Sequence, residues 1–286
     1  MSLGKDLPTF VDINLARPSA SRTFTVVGGD LNGQRFTIPF ITGARPDTRF
    51  GAVTEIRSTI SSEYEALVFQ AERRLTAGLQ FQTSYTLSRS LDNGQTSQTF
   101  TTTNVPFNPF DLSSERGYSR FDRRHKFVAS AVWTPGAPFG LEQSAVGRAI
   151  FGGFTIAPVV TAFSGLPVEA QADVNLSGSS GGGGRVPFVT RNQFRAPSQW
   201  TADLRVSRRF RVTEKTNLEL FAEAFNLFNH VNVTGVNDEL YTLDSSNPNN
   251  LRLVTTEDFL RPGSTGLNNS FFFRERQLQF SARFQF

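Results

Sequence analysis

His125 and His230 are the only histidines in this chain, which contains no cysteine. Zinc and other transition metals need several imidazole or thiolate groups converging on one point. The sequence therefore predicts no metal site. His125 follows Asp122-Arg123-Arg124 at a strand entry, and a hydrolytic role would need a serine and a carboxylate held against it. A cluster of hydrogen bonds and ion pairs where a loop enters a strand is the expected reading. Asp238-Glu239 and Asp244 could touch calcium but lack the spacing of a calcium loop. The run Ser177–Gly184 is glycine-rich but lacks the Lys-Ser/Thr of a phosphate-binding loop, so it reads as a loop tip. No residue presents a catalytic constellation, and no cofactor is expected.

A second set of charges is arranged differently. Asp203, Arg205, Arg209 and Arg211 occupy alternate positions of one run, and Glu219 and Glu223 occupy alternate positions of the next. Acids and guanidinium groups placed this way can form a ladder of ion pairs or line a path for substrate. The sequence favours the ladder. The turn Thr213-Glu214-Lys215 would pair Val212 with Thr216, which sets Arg209 opposite Glu219 and Arg205 opposite Glu223.

Such a ladder needs strands, because a period of two separates the faces of a pleated sheet. From Leu278 to Phe286 the even positions read Leu278, Phe280, Ala282, Phe284 and Phe286, against Gln279, Ser281, Arg283 and Gln285. The same alternation runs through Trp200–Val212 and Leu79–Leu87, and in blurred form after His125 and Phe154. These runs reach the roughly 9–11 residues a tilted strand needs to cross a bilayer, where ordinary strands average about 5–6. Thr76-Ala77-Gly78 and Thr213-Glu214-Lys215 are short connections. Ser90 to Arg123, Gly165 to Gln199 and His230 to Phe271 are long and polar. Short turns on one side and long loops on the other are the layout of transmembrane barrels. A strand ending on an aromatic residue, with Phe280 and Phe284 on its apolar face and Phe286 at its tip, matches the way such barrels end and marks an assembly signal.

Composition agrees. Phenylalanine outnumbers tyrosine 29 to 4, which favours a broad apolar surface over a tyrosine-built ligand surface. The net charge of +4 comes from arginines scattered along strands, with lysine only at 5, 126 and 215. Nucleic-acid binding calls for a basic stripe and is not expected. No apolar run reaches the ~18 residues of a membrane helix. Met1 to Pro8 lacks the charged and apolar regions of a secretory signal. The expectation is that a signal was removed or that more chain lies upstream.

Several segments resemble the barrel of TonB-dependent receptors, in particular the Oar-like group of Acidobacteria. They are Ser61-Ser62-Glu63-Tyr64-Glu65-Ala66-Leu67 with Arg73-Arg74-Leu75, Ser84–Asp92, Asn108-Pro109-Phe110-Asp111, Glu115-Arg116-Gly117, Phe121–Val128, Ser164-Gly165-Leu166-Pro167, Glu223–His230 and Arg276–Phe280. The resemblance runs in family order from about residue 50 to the end. It implies the C-terminal strands of a barrel of about 22 strands. It also implies outer-membrane localisation, contact with lipid and lipopolysaccharide, and insertion by the barrel-assembly machinery. A plug and TonB would be partners only where the missing N-terminal part is present, since neither a plug nor a TonB box is found here.

The expected fold is all-β: an antiparallel outer-membrane barrel portion with eight strands near 53–60, 64–75, 79–90, 125–134, 151–164, 200–212, 216–229 and 272–286. Residues 1–52 are expected as an extended or loop segment with a residual strand or hairpin. Residues 53–286 are the barrel portion, with external loops 91–123, 165–199 and 231–271. The expected role is non-enzymatic: barrel wall and surface loops for uptake or binding of a large ligand. The rivals are a small self-closed barrel, acting as structural protein, adhesin or narrow pore, and a soluble β-rich binding module.

Overall fold

The computed structural model describes residues 2–94, 106–136, 144–178, 183–265 and 275–286. Eight long strands form one antiparallel sheet in which sequence neighbours are sheet neighbours. They are Ser2–Asp12, Thr54–Thr76, Leu79–Asp92, His125–Trp133, Phe154–Phe163, Gln199–Arg211, Asn217–Phe225 and Gln277–Gln285. A two-residue strand, Gly117–Tyr118, adds to the end of Leu79–Asp92. Among the described residues the first and last wall strands each pair on one side only, with Thr54–Thr76 and with Asn217–Phe225, so the sheet is open between them.

Following the register across the sheet collects the apolar alternates on one face. Leu67 and Phe69 lie in line with Leu87 and Tyr85, and those with His125 and Phe127. The line continues through Ala162 and Val160 to Trp200 and Ala202, and lower on the same face Val206 and Arg208 stand opposite Ala222 and Leu220, and those opposite Phe280 and Ala282. Phe69, Trp133, Leu220, Phe280 and Phe284 are exposed on this belt. Aromatic rings mark both of its ends. Tyr85, Trp200 and Phe228 stand at one, Trp133, Phe154 and Phe210 at the other. The ten-residue step from Trp200 to Phe210, at the usual strand tilt, covers about 24–28 Å, the height of a barrel's apolar band. Arg208 lies on the belt near its lower end, its guanidinium 4.8 Å from the Phe154 ring and 4.6 Å from Phe210. There the rings hold the charge near the interface.

The connections alternate strictly. At the lower end, Ala77 and Gly78 form a tight turn with both φ angles positive, the geometry that matches strand twist. A Cβ on Gly78 would strike the carbonyl oxygen of Thr134. Val212 and Thr216 close the second turn, where the Val212 N–H donates to the Thr216 carbonyl at 2.9 Å. The third lower connection carries a one-turn-and-more helix, Ala145–Phe151. Among the described residues no helix is long and apolar enough to cross a membrane.

The expected strand at 53–60 is not separate. It is the upper part of the 23-residue strand Thr54–Thr76, and the eighth wall strand is Ser2–Asp12. Ser61-Ser62-Glu63 looked like an interruption, but Asn93 bridges it: the Ser61 N–H donates to the Asn93 side-chain oxygen, and Asn93 Nδ2 donates to the Thr59 carbonyl. Residues 1–52 hold a wall strand plus the hairpin Ala20–Val27 and Arg35–Phe40. The expected strand 216–229 stops at Phe225, because Asn226 and Asn229 adopt positive φ and turn the chain. Strand 151–164 begins only at Phe154, since Phe151 still belongs to the helix. Strand 272–286 begins at Gln277; residues 272–274, like 179–182 of the glycine-rich run, lie outside the described residues.

The three long connections also depart from a loop-like expectation. With residues 13–53 they fold into a second layer, a crown above the wall. Its five-stranded sheet runs Gln171–Ala172, Glu239–Asp244, Leu251–Thr255, Ala20–Val27, Arg35–Phe40, with two parallel pairings, Gln171–Ala172 against Glu239–Asp244 and Leu251–Thr255 against Ala20–Val27. Phe24, Val26, Ile38, Leu176, Val186 and Leu253 are at most 3% exposed and form its core, capped by Phe36 and Phe188 stacked at 3.9 Å. The packed core of the described chain sits here, not in the wall. This division follows from the membrane: a wall strand exposes its apolar face to lipid, while a layer in water must bury its own.

Candidate functional site

On the wall face opposite the apolar belt, Gln199–Arg211 and Asn217–Phe225 pair Arg205 with Glu223 and Arg209 with Glu219. The charged atoms lie 3.7 and 3.6 Å apart, ion pairs rather than close hydrogen bonds. Ser207 Oγ donates to Glu219 at 3.3 Å, and the next strand sets Arg283 opposite Glu219. Arg205 and Arg283 both lie over the Phe221 ring, at 4.4 and 5.6 Å. Glu219 is only 13% exposed, whereas its neighbour Leu220 on the belt is 44% exposed. The ladder therefore lies on the face opposite the apolar belt. Phe280 and Phe284 lie on the belt, 77% and 59% exposed, and Phe286 at the lower tip is 99% exposed.

At the upper rim the residues around His125 form the loop-to-strand cluster. Arg123 donates to the Ser164 carbonyl at 2.6 Å and to Gln199 at 3.1 Å, while the His125 N–H donates to Ser164 Oγ at 3.0 Å. His125 Nδ1 lies 2.8 Å from the Tyr85 hydroxyl. His230 stacks on Trp200, with ring centroids 4.6 Å apart. Asp244 pairs with Arg252 at 3.7 Å, and among the described residues no group of three acids or histidines is placed to hold a metal ion.

Sequence reasoning missed the strongest polar contacts. Three arginines of one loop each grip an acid from the segment 92–122. Arg185 meets Glu115 at 2.6 Å, Arg191 meets Asp92 at 2.5 Å, and Arg195 meets Asp122 at 2.5 Å. All three acids are buried, and Asp122 also accepts the Ser90 N–H. Asp92, at the end of a wall strand, and Asp122, through the Ser90 N–H, tie the crown to the wall, while Arg185–Glu115 joins two connections within the crown. Gly117 is part of the fit, since a Cβ there would strike the Arg191 carbonyl oxygen. Asp92, Glu115 and Asp122 were visible only as letters of resembling motifs; their partners lie about 70–100 residues away with no local signal.

Between crown and rim lies a cavity of about 710 Å³, to which all three long connections and the strand Thr54–Thr76 contribute. Its lining includes Arg120, Arg185 and Arg191 against Glu115, Glu169 and Asp238, so the charges of these six cancel. Arg185 Nε and Glu169 Oε1 approach to 3.0 Å, yet neither buried atom has an aligned hydrogen bond. Burial pushes the Glu169 carboxyl above the usual carboxylate range, opposed by Arg185 and Arg191. Phe121, 46% exposed, forms part of the wall of the cavity.

A family model described as outer membrane beta barrel domain matches residues 2–189 and 184–279. Together the two matches cover nearly the whole chain, which belongs to this family of outer-membrane β-barrels and is located in the bacterial outer membrane. Neither the curated proteins nor the solved structures yield a match.

Proposed function

We propose that this chain supplies C-terminal wall strands and the surface crown of a TonB-dependent receptor of the Oar-like type. It binds a ligand outside the cell and takes no catalytic part. The open sheet carries this reading. Ser2–Asp12 and Gln277–Gln285 each leave one edge unpaired among the described residues. Lipid offers no hydrogen bonds, and each unsatisfied backbone group there costs several kcal/mol, so a spanning sheet must close. Further strands of a larger barrel close it, the plug occupies the lumen beside the arginine–glutamate ladder, and lipid and lipopolysaccharide surround the belt. The motifs resembling that group support the assignment, since Asp92, Gly117 and Asp122 serve the junction of crown and wall and Glu115 holds the crown together. The barrel-assembly machinery reads the terminal Phe280, Phe284 and Phe286.

The test is the size of the native polypeptide. Antibody raised against the crown is used to probe isolated outer membranes. A band far heavier than 31.7 kDa, with ligand uptake abolished by a proton uncoupler, is expected. A band at that mass that stays compact in unheated detergent would instead identify a small self-closed barrel.

A further inference from the structure

The geometry points to a binding site for one anionic phospholipid at the lower end of the wall. Arg208 takes the headgroup phosphate, and the exposed face of the helix Ala145–Phe151 lies against the lipid beside it. This rests on the reading of the lower turns as periplasmic, which makes the lipid one of the inner leaflet. Arg208 shares the even parity of Leu204, Val206 and Phe210, and its partners in register are Phe154 on one side and Leu220 on the other. It is therefore a full charge on the lipid-facing side, among outward neighbours that carry none. An arginine is costly in the middle of a bilayer and tolerated near its interfaces. Its position fits the second case, two residues above Phe210 at the lower end of the belt and eight below Trp200 at the upper.

The Phe154 and Phe210 rings hold the Arg208 guanidinium at 4.8 and 4.6 Å. Their faces attract its charge but carry no net charge to match it. At this depth the groups outside the protein are the phosphates of the leaflet. A phosphate presents two anionic oxygens at the spacing of the guanidinium fork, and the pair is bidentate and charge-assisted. The helix is an independent observation. Val146 and Ile150 are 68% and 53% exposed and, four residues apart, lie on one side of it. Its end is fixed beside Arg208, because Gly153 accepts the Arg209 N–H at 2.9 Å. Gly153 has a positive φ, and a Cβ there would strike the Arg209 carbonyl oxygen, so no other residue fits this approach. Phe154 follows at once on the belt, so an exposed apolar helix face adjoins the lipid-facing surface at headgroup level. Apolar side chains beside a cation are the pairing that suits an anionic membrane interface. A zwitterionic headgroup brings its own ammonium to compete for the phosphate, so the site prefers an anionic lipid such as phosphatidylglycerol.

The experiment uses the full chain in an amine-oxide detergent and counts bound lipids by native mass spectrometry. Phosphatidylglycerol competes with phosphatidylcholine of different mass, and lipid A is added in a separate arm. The first lipid retained is expected to be phosphatidylglycerol, by roughly tenfold over phosphatidylcholine. Arg208→Leu is expected to bring that ratio near one. Arg208→Lys keeps the charge but loses the fork, so it retains part of the preference. Ile150→Ser lowers retention of the lipid, and Lys215→Gln, in the lower turn, leaves it unchanged. Leucine at 208 resembles its outward neighbours, so that variant folds, which unaltered protease resistance verifies. The proposal is overturned if phosphatidylglycerol is not preferred, if Arg208→Leu keeps the preference, or if Lys215→Gln removes it equally. Lipid A bound with the same sensitivity to Arg208 would overturn the inner-leaflet source. Detergent has no leaflets, so failure here leaves the topology standing, and a reversed topology would leave the phosphate contact standing on the other leaflet.

Discussion

At the scale of residues, the polar groups divide into an exposed ladder and buried clasps. The ladder pairs stand on the face opposite the belt, with Arg205 and Arg209 about half exposed, so each contributes modestly. A double-mutant cycle on Arg209→Ala and Glu219→Ala, read from urea unfolding in lipid vesicles, is expected to give a coupling of roughly 0.2–1 kcal/mol. Its larger effect is on register: a one-residue slip would turn each arginine toward lipid, at about 2–4 kcal/mol near the midplane. Burial governs the titration of Glu169. Its folded-state pKa is raised, so the stability it contributes is present below the ordinary carboxylate value and is lost as pH rises through the raised one. Protease resistance of the crown, followed across that window, is expected to fall with rising pH in the native chain. In Glu169→Gln that component of the slope should vanish; an unchanged slope would contradict the burial argument.

At the scale of elements, the wall was legible in the sequence and the crown was not. Six of the eight wall strands stand near their expected places, because period-two alternation and short turns are local signals. The register of Gln199–Arg211 on Asn217–Phe225 followed from turn length and parity alone. The crown gave no such signal. Its core draws Phe24 and Val26 from the first segment, Leu176 and Val186 from the second upper connection and Leu253 from the third, so no single segment carries it. Its strands Gln171–Ala172 and Phe194–Arg195 are two residues long, too short to show a period. The cavity shared the same obscurity, since Glu169 and Arg185 acquire meaning only once these segments are packed. What fastens the crown is the set of buried ion pairs, and removing one partner leaves an uncompensated buried charge. Arg191→Ala or Asp92→Ala is expected to weaken the docking of the crown by roughly 3–5 kcal/mol. Limited proteolysis in detergent should then release crown fragments while the wall stays intact; crown and wall resisting together as before would show that the clasps are dispensable.

At the scale of the whole molecule, one chain solves two solvent problems. The wall gathers its apolar alternates on one face and the arginine–glutamate ladder on the other, with Arg208 held among rings near the belt's lower end, while the crown buries Phe24, Val26 and Leu253 in a core of its own. Insertion is expected to depend on the last strand. Phe286 makes little packing contact at 99% exposure, so deleting it should hardly change the stability of inserted protein. It is instead expected to leave chains stranded in the periplasm, measured as the ratio of membrane-inserted to soluble protein. Normal insertion of the truncated chain would remove the assembly role. The central claim is the placement of crown outside and turns inside, with eight strands crossing between them. The absence of cysteine provides a clean background for testing it. Single cysteines are placed by Ser246→Cys in the exposed crown and Glu214→Cys in the lower turn, and intact cells are treated with a membrane-impermeant maleimide. The account predicts labelling at 246 in unbroken cells and labelling at 214 only after the outer membrane is opened. Labelling at 214 in unbroken cells, or at 246 only after opening, would contradict it.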